Sequence, residues 1–187
     1  MAGRRRASFA ERRAERAEVD DPDVVLAAAL RFLEARSRSE AEVRRRLTQA
    51  GYRESLVDGA IALLGELGVL DDEAFARSWV ESRDRARPRG EIALRRELAL
   101  KGVDREVVDG LLIERAEGID GEADNDAARR LLERRGSSLL RVTDPTVRRQ
   151  KAYALLARNG FDPGTCASAS RAWARDEDAV DDGDPDD

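Results

Sequence analysis

Residues 94–103 read LRRELALKGV, and the same spacing returns at 43–52 as VRRRLTQAGY and at 152–161 as AYALLARNGF. Each stretch holds an apolar or small residue, a Leu four positions later, a Gly four positions after that, and then an apolar residue. Residues four apart share one helical face, so Val43 with Leu47, Leu94 with Leu98 and Ala152 with Leu156 mark the buried stripe of a helix. Gly51, Gly102 and Gly160 fit the position just past a helix end, where the backbone turns through the left-handed region. Tyr52, Val103 and Phe161 can then fold back on the last turn. Five and six residues after the Gly come Leu56-Val57, Val107-Val108 and Thr165-Cys166. Thirteen residues after it stand Leu64, Arg115 and Trp173, so the second copy breaks the apolar pattern with a charge. The Gly-to-Gly spacings of 51 and 58 place a short insertion in the third copy.

Helix-start signals surround these stretches. Asp21-Pro22, Asp144-Pro145 and Asp162-Pro163 each offer a capping carboxylate followed by Pro at the first helical position. Ser39 with Glu42 has the spacing of a capping box, and Asp71 and Asp104 are further candidate caps. The pattern predicts an all-α chain of three tandem three-helix repeats. Repeat one (22–70) has helices over 22–36, 39–50 and 54–67. Repeat two (71–118) has helices over 71–86, 90–101 and 104–117. Repeat three (119–175) has helices over 123–135, 145–159 and 163–175. In the first helices, Leu26, Leu30 and Leu33 form one stripe, Phe75 and Trp79 another, and Leu131 and Leu132 anchor the last. Gly118 to Asp126 is the expected hinge. Residues 1–21 read as a disordered or frayed charged arm, and 176–187 as a disordered acidic tail. Single three-helix units this small bury little surface, so neighbours are expected to share contacts.

Composition limits the chemistry. The 187 residues include no His and a single Cys, Cys166, which excludes imidazole bases, His-ligated zinc, an internal disulfide and a multi-Cys metal site. Cys166 lies in an apolar helical stretch and reads as a buried, inert thiol. No phosphate loop or dinucleotide fingerprint is present. Asp71, Asp72 and Glu73 read as a helix start, where negative charge suits the first-turn amides. No catalytic residue, cofactor or metal is expected. Val24 to Leu30 is the longest apolar run, too short to span a membrane, and the N-terminus has no signal-peptide core, so a cytoplasmic, monomeric protein is expected. The net charge of −5 hides an asymmetry: without the acidic tail from Asp176, 34 basic groups face 31 acidic ones.

The stretches SRSEAEVRRRLTQAGY, LGELGVLDDEAFARSWVESR and RGEIALRRELALKGVD resemble the regulatory protein RecX family. The family's Leu-Asp-Asp-x-x-Phe-Ala segment is matched by Leu70, Asp71, Asp72, Phe75 and Ala76. Its basic-Gly segment is matched by Arg89, Gly90, Leu94, Glu97, Leu98, Lys101, Gly102 and Val103. Where the family often carries Lys-Gly-Pro, this chain has Arg87-Pro88-Arg89-Gly90. The resemblance covers roughly residues 24–175 and is strongest over 37–104. It implies an elongated, curved stack of repeats that binds the RecA filament on single-stranded DNA. It also implies a lowering of RecA's ATPase and strand-exchange activity, in recombination, DNA repair and the SOS response.

Arg outnumbers Lys 32 to 2. Arg83, Arg85, Arg87 and Arg89 alternate through one loop, followed by Arg95, Arg96 and Lys101. A second basic set holds Arg129, Arg130, Arg134, Arg135, Arg148, Arg149 and Lys151, and a third holds Arg44, Arg45 and Arg46. Guanidinium groups suit carboxylates or phosphates, because each donates two parallel hydrogen bonds. These residues are the candidate partner-binding set; a solvated, Arg-rich face is the other reading of the same residues. Direct nucleic-acid binding by a helical module is the alternative function. Trp79 and Trp173 sit at core-like spacing and read as packing residues.

Overall fold

The computed structural model describes residues 8–117 and 123–181, with side chains through Arg175. Ten α-helices occur among the described residues: α1 (Phe9–Ala17), α2 (Pro22–Leu33), α3 (Glu40–Ala50), α4 (Glu54–Glu66), α5 (Asp72–Ala86), α6 (Glu91–Lys101), α7 (Arg105–Glu117), α8 (Ala123–Arg135), α9 (Pro145–Arg158) and α10 (Pro163–Asp181). A 3-10 turn, Gly136–Leu139, follows α8, in the region of the third copy's extra length. No described residue is in a strand. The nine helices expected from the repeat pattern are α2 to α10. The part of the expected hinge at 118–122 lies outside the described residues, and Ala123 to Asp126 open α8.

The three glycines turn through the left-handed region as their position requires, with φ of 106° at Gly51, 79° at Gly102 and 82° at Gly160. The caps act as their residue types dictate. Asp21 Oδ1 accepts from Asp23 N at 2.9 Å, Asp144 Oδ1 from Thr146 N at 2.8 Å, and Asp162 Oδ1 from Gly164 N at 2.8 Å. Hydrogen bonds from Thr165 and from the first-turn amides hold the Asp162 carboxyl below its ordinary pKa, against a smaller opposing effect of burial.

Two compact units form. One runs up to Phe75 and includes Leu100–Asp104; the other holds Ala76–Ala99 and the residues from Arg105 on. The first unit's core gathers Val25 and Ala29 of α2, Val43 and Leu47 of α3, and Val57, Ala60, Ile61 and Leu64 of α4. The α2 stripe therefore differs from expectation. Val25 and Ala29 are fully buried, Leu26 and Leu33 are half-buried, and Leu30 is 41% exposed. The apolar residues of α2 run almost unbroken, so periodicity alone does not orient the helix; packing against α3 and α4 does. In the second unit, Leu131 and Leu132 pack with Ala152, Leu156, Phe161, Cys166 and Trp173. Cys166 is buried, and burial raises its thiol pKa further above neutrality, with Asp162 adding to the effect. Phe75 is buried, whereas Trp79 is half-buried.

The same joint is built twice from different residues. In the first unit, Ser39 Oγ donates to Lys101 O at 2.6 Å, Glu40 N donates to Asp72 Oδ1 at 2.8 Å, and Ala41 lies against Gly102. In the second unit, Gly90 N donates to Asn159 O at 3.2 Å, Glu91 N donates to Asp124 Oδ2 at 3.0 Å, and Ala93 lies against Gly160. The start of a middle helix thus seats on the glycine turn of the next copy, and a carboxylate from that copy caps it. Burial raises the Asp72 carboxyl pKa, and the nearby Glu40, Asp71 and Glu42 add to this despite the Glu40 amide. Burial works the same way on Glu42, but Lys101 Nζ at 2.9 Å outweighs it and holds that carboxyl low.

Gly90 has no room for a side chain: a Cβ there would overlap the Gly160 carbonyl oxygen and the Phe161 backbone. Because backbone cannot swing aside, Gly90→Ala should destabilise the protein by about 1–3 kcal/mol through overpacking. A urea melt indistinguishable from wild type would show that this contact is loose.

The N-terminal segment departs furthest from expectation. Ser8 Oγ accepts from Glu11 N at 3.2 Å, and Glu11 Oε2 accepts from Ser8 N at 2.6 Å, a complete capping box that opens α1. Arg13 of α1 covers Gly51, and Arg16 Nη1 reaches Ala50 O at 3.4 Å. The arm expected to be disordered or frayed is therefore helical over Phe9–Ala17 and rests on the first glycine turn. The expected acidic tail begins inside α10, whose backbone continues to Asp181; residues 182–187 lie outside the described residues.

Candidate functional site

The Arg83–Arg89 segment leaves α5 and enters α6, and the structure divides its four arginines into two kinds. Arg83 Nε donates to Glu97 Oε2 at 2.6 Å, and its guanidinium lies 4.4 Å from the Trp79 ring centroid. Trp79 Nε1 donates to the same Glu97 oxygen at 2.9 Å. Arg89 Nε stands 3.5 Å from the other oxygen of Glu97, and Arg89 Nη1 donates to Asn159 Oδ1. One α6 carboxylate therefore gathers Trp79, Arg83 and Arg89, and fixes the path of the loop around the buried Pro88. Two of the four candidate arginines, Arg83 and Arg89, are therefore held within the fold. Arg85 and Arg87 are exposed.

The C-terminus of α8 supplies the rest of this face. Arg134 Nη1 donates to Ala86 O at 3.1 Å. Arg87, Arg89, Arg134 and Arg135 line a cleft of about 160 Å³ floored by Leu131 and Leu155, with no Asp or Glu in its wall. Two basic sets that are far apart in sequence thus meet in one unit. Adjacent arginines at a helix end gave a signal for Arg134 and Arg135, but nothing local placed them beside residue 87.

The remaining candidates are dispersed. Arg95 bonds Glu91 at 2.8 Å and pairs with Asp109, while Arg96 is exposed. Lys101 holds Glu42 and belongs to the first unit's joint. Arg129 pairs along its own helix with Asp126 at 3.4 Å and Glu133 at 3.6 Å. Arg130 and Arg148 are half-buried and Arg149 is exposed, and none of the three lines the cleft. In the first unit, Arg44 pairs with Glu40 and Asp58, and Arg45 and Arg46 are exposed.

Sequence reasoning missed Arg115. It fills the slot held by Leu64 in the first copy and Trp173 in the third, and its side chain is only 10% exposed. Asp84 binds it with both oxygens, at 3.1 and 3.0 Å, and Asp124 binds it from α8. Burial opposes its charge, but the two carboxylates outweigh that and raise its pKa. The broken repeat position was the one clue.

Paired three-helix joints and an Arg-lined cleft with no acid in its wall define a helical-repeat protein with a basic face. Family models described as RecX, first three-helix domain, and RecX, second three-helix domain, match residues 26–64 and 71–112. A "Regulatory protein RecX" of Mycobacterium sp. (strain JLS) is 41% identical over 136 residues, covering 71% of this chain and 72% of the relative. That of Mycobacterium tuberculosis (strain ATCC 25177 / H37Ra) is 35% identical over 138 residues, covering 72% and 77%. The chain belongs to the RecX family. A crystal structure of RecX from Lactobacillus salivarius superposes with a TM-score of 0.71 at 20% identity, over 82% of this chain and 96% of that one, and supports the fold. Among the described residues, no helix is long and apolar enough to cross a membrane.

Proposed function

We propose that this protein is a non-enzymatic cytoplasmic regulator that binds the RecA filament on single-stranded DNA as a monomer. It lowers RecA's ATPase and strand-exchange activity in recombination, DNA repair and the SOS response. RecX family membership carries this reading, because the relatives are regulatory proteins by name. The cleft between the 86–89 segment and α8 supports a docking face: its arginines present donors without an acidic neighbour in the wall.

The test is RecA's ATPase on single-stranded DNA with this protein titrated in. Substituting Arg85, Arg87 and Arg135 together with Ser spares the Glu97 clamp. Exposed positions of this kind change stability by under about 0.5 kcal/mol each. The variant should melt near wild type yet need roughly tenfold more protein for equal suppression, the effect of about 1.4 kcal/mol of lost binding. Equal suppression at equal concentration would move the contact surface elsewhere. Arg83→Ala, by contrast, should lower the melting temperature, since it strips Glu97 and Trp79 of a partner.

A further inference from the structure

With α2 and α3, α1 closes a groove of about 520 Å³ in the first unit. Arg12, Arg16, Arg31 and Arg46 line it, and no Asp or Glu does. Ion pairs elsewhere in this unit use Arg44, Arg53 and Lys101. Among the described residues, Arg16, Arg31 and Arg46 have no carboxylate partner; Arg16 and Arg31 donate only to the carbonyls of Ala50 and Ala27. Guanidinium groups gathered on one groove repel each other, so the chemistry missing from it is an anion.

One ring marks what kind of anion. Phe32, under Arg38 at 4.3 Å and Arg46 at 5.8 Å, and Tyr52, under Arg16 at 5.8 Å, both pack against the unit's core. Phe9 opens α1 at the groove and is 64% exposed, with no place in the unit's hydrophobic core. An acidic peptide would use the arginines but not the bare ring. A duplex keeps its base faces stacked inside. Unpaired bases on a phosphodiester chain use both features, since bases stack on aromatic side chains while arginines hold the phosphates. The volume is in the range of small-ligand sites and suits a nucleotide or two.

We propose that this groove is a binding site for single-stranded nucleic acid, with phosphates on its arginines and a base on Phe9. The site lies in the other compact unit from the Arg-lined cleft and needs no RecA, so it goes beyond the regulatory reading.

The experiment is fluorescence anisotropy of the full chain, without RecA, using labelled oligo-dT, an abasic oligomer of equal length, a duplex and a poly-Glu peptide. Oligo-dT should bind best, with a slope of log affinity against log salt of about −2 to −3 for three or four neutralised phosphates. Arg31→Gln with Arg46→Gln should weaken both oligomers at least roughly tenfold and flatten that slope by about 1.4. Phe9→Ala, at an exposed position that leaves the fold intact, should weaken oligo-dT by roughly 5- to 100-fold and leave the abasic oligomer unchanged. The proposal is overturned by unaltered oligo-dT binding in Phe9→Ala, by poly-Glu or duplex binding as tight as oligo-dT, or by no oligo-dT binding at low salt. None of these outcomes bears on the ATPase assay, so the two readings fail separately.

Discussion

Arg115→Ala is expected to destabilise the protein by about 3–5 kcal/mol, the cost of removing one partner from a buried ion group. The loss lies in what remains. Asp84 and Asp124 keep only 26% and 21% of their side-chain surface in solvent, so both carboxylates would stay partly desolvated, close together and without their cation. That residual exposure puts the effect toward the lower end of the range. Asp124 also caps α6 through Glu91 N, so the damage should spread into the joint. A compensated variant separates charge from shape: Arg115→Leu with Asp84→Asn and Asp124→Asn restores an apolar residue like Leu64 and removes both orphaned charges. It should recover most of the loss, because well-packed apolar groups often replace buried ion groups at little cost. Urea melts decide it. A change below about 0.5 kcal/mol in Arg115→Ala would mean the ion group is solvated and contributes little.

The second large effect is Leu98→Ala, expected to cost about 2–5 kcal/mol. Leu98 is fully buried beside Leu94 on the inner face of α6. Truncation leaves a cavity that α6 is hindered from moving in to fill, because the clamp at Glu97 and the Gly102 turn each lie within four residues. Leu47→Ala should act the same way in α3. If thermal or urea melts of Leu98→Ala shift by less than about 0.5 kcal/mol, the residue does not anchor its helix.

Leu98 and Arg115 mark the two sides of what the chain discloses. Leu98 was legible because its evidence is local: four residues from Leu94, four before a glycine, repeated in three copies. The same local signals located α2 to α10 and gave Gly51, Gly102 and Gly160 their turns, since caps, i,i+4 faces and left-handed glycines act within a few residues of chain. Family membership was equally legible, as it rests on short motifs in register.

Where the evidence is a distant partner, the sequence by itself was silent or misleading. Leu30 and Val25 look alike in the apolar run of α2, and only packing against α3 and α4 decided which is buried. Arg83 and Arg85 look alike in an alternating run that the fold places in the last turn of α5; Glu97, on the next helix, made one structural and left the other exposed. Six of the first seventeen residues are arginines, a composition that reads as a solvated arm, yet the Gly51 turn gave α1 something to rest on. Arg115 broke the repeat pattern, but two carboxylates 31 and 9 positions away made a charge tolerable in a core slot. Spacing along the chain determines which face a helix offers. Which partner meets that face, and so whether an arginine is a strut or a free hand for a ligand, depends on groups that only the folded chain brings within a few ångströms.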